Sequence, residues 1–208
     1  MAEKPIKGEI GYFGLEDWWL STFTEKERQY IEQKFQPLGS SAVMLTSGEI
    51  SYTSETSLGM LTSLAGWFSK DEDRHIAYRI LEKAEELLKS EASVLHVHFF
   101  YNEKIILYYK DSDKPQYLEK AIEACKKQIA LAPKAAVAFK VEYKEFPLPA
   151  HRGYEQLASI LESQKKYEEA IELCEQAEKQ GWGWNWGERI KRCRERQAKA
   201  LAKAAPPL

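Results

Sequence analysis

The chain has 208 residues, 44% of them hydrophobic and 30% charged, with a formal net charge of -2. That length fits one domain or two small ones, and the composition supplies a core and argues against a disordered chain. No apolar run is long enough to span a bilayer, the lysines near the start precede no apolar signal stretch, and three cysteines make no disulfide framework. The expectation is a soluble, cytoplasmic protein with reduced thiols.

Residues 1–57 read as an N-terminal appendage. "LEDWWLSTFTEKERQYIEQKF" predicts one or two helices, with Thr24 and Glu27 spaced for a capping box. The following stretch, 39–57, is rich in Ser, Thr and Gly and reads as either a loop or a β-ribbon. Residues 58–208 read as a helical body. "DEDRHIAYRILEKAEELLKSEA" places Ile76, Ile80, Leu81, Ala84, Leu87 and Leu88 on one helical face. "YLEKAIEACKKQIALAP" repeats the pattern with Leu118, Ala121, Ile122, Cys125 and Ile129, and Pro133 is expected to close it. "YEEAIELCEQAEKQG" does so again with Ala170, Ile171, Cys174 and Ala177, ending at Gly181, which suits a left-handed cap.

Two segments align in full. Leu61, Leu64, Ala65 and Phe68, followed by Ala77, Leu81 and Ala84, match Tyr154, Leu157, Ala158 and Leu161, followed by Ala170, Cys174 and Ala177, with identical spacing. The pattern resembles the tetratricopeptide repeat (TPR), a helix-turn-helix unit of about 34 residues in which small residues mark the closest helix approaches. A middle unit is partial. Its second helix carries Ala121 and Cys125, but Gln128 stands where Ala84 and Ala177 stand in the others, and its first helix is expected within "VLHVHFFYNEKIILYYKD". The key alanines are 44 and then 49 residues apart, so insertions are expected, the second over 134–150, where Pro147 and Pro149 oppose helix. The order of the whole chain is also similar to bacterial repeat proteins of this type with no assigned activity. The resemblance implies an all-α fold: a TPR-like, right-handed array of about three helical hairpins with a C-terminal capping helix.

It also implies a non-enzymatic protein- or peptide-binding adaptor or scaffold, with no cofactor and a concave surface lined by the first helix of each unit. On that register Arg152, Glu155, Gln156, Ser159 and Glu162 face the groove in the third unit, and Thr62, Ser69 and Lys70 in the first. "GWGWNWG" raises a second candidate. Trp182, Trp184 and Trp186 would share one side of an extended link, either clamping the last helix to the array or meeting a partner. That last helix, residues 188–203, carries seven basic and two acidic residues, so a nucleic acid or other polyanion is an alternative partner; otherwise it docks on acidic neighbours.

Enzymatic readings rest on His151, which would enter a site or start a solvated helix, and on Cys193, whose neighbouring arginines would favour a thiolate unless it faces the body. Cys125 and Cys174, at equivalent repeat positions, read as buried and inert. His96 and His98 would share a metal only on a strand; on a helix they point apart. No catalytic or metal-binding residue is assigned.

Overall fold

The computed structural model describes residues 6–37, 45–91, 93–144 and 146–204. Among them are ten α-helices, one 3-10 turn and no β-strand. The chain divides into two compact units, Met1–Glu91 and Ala92–Leu208.

The first unit contains α1 (Gly8–Tyr12), α2 (Glu16–Thr22), α3 (Glu25–Lys34), α4 (Ser57–Gly66), α5 (Arg74–Glu86) and a 3-10 turn at Leu87–Lys89. The capping box forms: the Thr24 hydroxyl accepts from the Glu27 amide and the Glu27 carboxylate from the Thr24 amide. The same carboxylate pairs with Arg79 of α5, and this holds it down at about pH 2, where burial alone would raise it. Arg79 also donates to the Thr22 carbonyl at 2.9 Å and lies 4.6 Å over the Phe23 ring. Buried Asp73 accepts from Tyr30 at 2.8 Å and pairs with Lys34. Helix α3 is therefore tied to the α4–α5 pair by two carboxylates. Of the Ser/Thr-rich stretch, 39–44 lie outside the described residues. Residues 45–48 are irregular, and the carbonyls of Leu45, Thr46 and Gly48 accept from Ile10, Lys7 and Gly8.

The second unit contains α6 (Val94–Tyr109), α7 (Pro115–Glu142), α8 (Arg152–Ser163), α9 (Tyr167–Gln180) and α10 (Trp186–Ala204). Its core gathers Ala132, Ala135, Ala136 and Phe139 of α7 with Tyr154, Ala158, Cys174, Ala177, Trp182, Trp186 and Ile190. Pro133 does not close α7, which runs on to Glu142. A proline here removes one helical hydrogen bond, but four side chains just before and after it fill the core, and their burial holds the helix together. The segment after α7 is non-helical, as its prolines require, and returns Leu148 to the core; Glu145 lies outside the described residues.

All seven aligned positions are buried in both hairpins, α4–α5 and α8–α9. Gly181 takes φ +82° after α9, with Trp182 N–H donating to Ala177 and Gly181 N–H to Glu178. These two bonds make a Schellman cap, which points Trp182 back at the helix it follows.

Candidate functional site

Helix α8 carries the expected groove residues, and α10 covers part of that face. Arg189 of α10 donates to the Glu162 carboxylate at 2.6 Å, to the Ser159 hydroxyl and to the Glu155 carbonyl at 3.1 Å. Arg192 and Arg196 reach the same carboxylate at 3.2 and 3.1 Å. The side chains of Arg189 and Glu162 are each only 7% exposed. Burial pushes the Glu162 carboxyl up, but hydrogen bonds from Arg192 and Arg189 outweigh it and hold it below the usual range. Ser159 and Glu162 are thus committed to the chain's own last helix. Arg152, Glu155 and Gln156, one to two turns earlier, stay half-exposed, with Arg152 and Glu155 paired at 3.2 Å. Arg194 meets Glu175 of α9 at 2.8 Å, so four arginines of the basic helix rest on its neighbours' carboxylates.

Thr62, Ser69 and Lys70 belong to the first unit. The Thr62 hydroxyl donates to the Leu58 carbonyl at 2.7 Å within its own helix. The Ser69 carbonyl accepts from Arg74 at 3.0 Å. Lys70 is exposed, and its carbonyl receives the amides of Asp73 and Arg74 at the start of α5.

His151 is not a solvated helix start. It is fully buried and caps α8, its Nδ1 accepting from the Tyr154 amide at 3.4 Å. Its ring lies 5.1 Å from His98 of α6 and 4.6 Å from Trp182, while His98 stacks on Trp182 at 5.7 Å. Phe139 closes the cluster against His98 at 5.3 Å. Burial drives His98 down to about 4; burial and the neighbouring His98 drive His151 down to about 3. Both rings are neutral at pH 7, and His98 Nδ1 and His151 Nε2 have no hydrogen-bond partner among the described residues. His96 lies on the same helix as His98, two residues away, and turns to a different side.

Gln128 was legible only as a departure from the repeat. Buried in α7, it donates to the His98 carbonyl at 3.0 Å and accepts from the Gly153 amide at 2.6 Å. One side chain therefore caps a free amide of α8 and binds α6 to it. Gly153 suits this close approach: a Cβ would sit 2.9 Å from Gln128 Oε1 and 3.0 Å from the Cys125 carbonyl, so the amide cap would have to shift to admit it.

The three tryptophans do not share a side. Trp182 and Trp186 are buried, and Trp186 Nε1 donates to the Trp182 carbonyl at 2.7 Å. Trp184 is 51% exposed. The link is not an extended strand. The amide of Gly183 is held by the Leu148 and Pro149 carbonyls, and α10 begins at Trp186. The alternation expected of a strand is lost between these two constraints. The thiols are sealed as well. Burial raises Cys125 to about 12 and Cys174 to about 11. At Cys193, burial and Glu162 raise the pKa against the pull of Arg192, Arg189 and Arg196, so the arginines leave a thiol and not a thiolate.

Comparison with protein families, with curated proteins and with solved structures finds no match for this chain.

Proposed function

We propose that the chain is a non-catalytic protein- or peptide-binding module built of TPR-like hairpins, α4–α5, α6–α7 and α8–α9, with α10 as terminal helix. The observation that carries this reading is the matched burial of seven aligned positions in two hairpins, which leaves the intervening polar positions of α8 turned away from the core. Arg152, Glu155 and Gln156 then form the accessible part of the partner surface, and exposed Trp184 is a further aromatic contact of the kind enriched at interface centres. The residues singled out for chemistry, His151 and Cys193, are buried, which favours binding over catalysis. Pairing of Arg189, Arg192, Arg194 and Arg196 with Glu162 and Glu175 likewise favours a protein partner over a nucleic acid.

The test is affinity capture from cells of the source organism with the wild type and with the double variant Arg152→Glu, Glu155→Lys. The double reversal preserves an opposite-charge pair three residues apart on α8 and so spares the fold. A protein captured by the wild type and lost from the variant is the expected result. A protein captured equally by both, or nucleic acid in its place, overturns the α8 surface.

A further inference from the structure

Past Pro133, α7 turns an unusual face to solvent. Its inward side is built from small residues, Ala132, Ala135 and Ala136, with Phe139. Its outward side carries the larger aliphatics: Val137 is 64% exposed and Val141 65%. Pro133, Val137 and Val141 recur every four residues, so they form one ridge along the helix. Two β-branched residues placed this way gain nothing from water and lower helix propensity.

The charge of this face is one-sided. Residues 124–141 contain four lysines and no acidic residue. Lys127 pairs with Glu123 at 2.8 Å. Lys126, Lys134 and Lys140 are exposed and fall on the same arc of the helix as the valines. The result is an apolar ridge about 12 Å long, at 1.5 Å per residue, edged by lysines.

We infer that the outward face of α7 is a docking surface for an acidic amphipathic helix of a partner protein. A ridge with four-residue spacing fits the groove between side-chain rows of a second helix, and lysines along it select a partner with carboxylates flanking its apolar stripe. A second copy of the chain docking through this face would set lysine against lysine. The face lies on a second helix of a hairpin, so the inference does not rest on the α8 surface.

The experiment is panning of displayed helical peptides of about 20 residues, long enough to span the ridge. Their apolar positions draw on Leu, Val and Ala and their polar positions on Glu, Gln and Lys. The baits are the full chain, a Val137→Ser, Val141→Ser variant, a Lys134→Glu, Lys140→Glu variant and an Arg152→Glu variant. These positions are exposed, and unchanged thermal melts confirm that the variants fold. Glu-rich amphipathic sequences are expected from the wild type, with affinity falling at least about tenfold on either variant and unchanged by Arg152→Glu. Enrichment of neutral or basic peptides, equal binding by all baits, or no enrichment overturns the inference. So does binding of the wild type to phosphatidylserine vesicles that is lost in the valine variant, which reassigns the face to lipid. If the surviving peptides respond to Arg152→Glu and not to the α7 variants, the α8 surface stands and the α7 face falls.

Discussion

Single residues carry much of the second unit's specificity. The His98–His151 pair has the plainest consequence. Both imidazoles sit below their unfolded value of 6.5, at about 4 and about 3. Between pH 6.5 and those values the unfolded chain binds protons that the folded chain refuses. The stability they contribute is therefore complete above pH 6.5 and is lost as pH falls toward 4 and 3, by on the order of a few kcal/mol in all. Urea midpoints measured from pH 7 to pH 5 should drop, in a range above the titration of the lowered carboxylates. His98→Phe keeps a ring against Trp182 and should flatten that dependence; an unchanged slope would assign it elsewhere. Gly183 is constrained in another way. A Cβ there would stand 2.7 Å from the Leu148 carbonyl oxygen, which belongs to backbone and has little room to yield. Gly183→Ala should cost about 1–3 kcal/mol, read as a lowered urea midpoint.

At the scale of elements, α10 is held by its tryptophan entry and by the Glu162 cluster. Glu162→Ala leaves Arg189 buried without its carboxylate and should cost about 3–5 kcal/mol. Glu162→Gln retains an acceptor and should cost less, and thermal melts of the two variants separate charge from hydrogen bonding. Equal losses would show that the ionised form adds nothing. The amphipathic periods of α5, α7 and α9, the Thr24 box and the Gly181 cap were legible because each depends on a few neighbouring residues. The continuation of α7 was not. Pro133 is a local stop signal, and it is outweighed by packing of Ala135, Ala136 and Phe139 against residues far along the chain. The tryptophan link failed in the same way: alternation predicts one side only if the backbone is extended, and Leu148, some 35 residues away, bends it. His98 and His151, 53 residues apart, left no trace of their meeting. Periodicity reports that a side chain is buried, and is silent on which helices bring it to which partner.

At the scale of the whole molecule, all three cysteines lie in the second unit, and all three are buried. Because burial holds each thiol above its ordinary value, both access and ionisation oppose attack by a disulfide reagent. At pH 8 the native chain should expose no reactive thiol on the timescale in which a free cysteine reacts, and in urea all three should react. Local fraying would release Cys193 of α10 first, ahead of Cys125 and Cys174, which sit in α7 and α9. A single cooperative release is the expected outcome instead, because three arginines converge on Glu162 and tie α10 to the rest of its unit. The same titration bears on chemistry: one thiol reacting fast in the native chain, identified as Cys193 by its loss in Cys193→Ser, would restore an activated nucleophile and count against the binding module. Slow reaction at all three would remove Cys193 as an activated nucleophile and would agree with the binding role proposed for the unit.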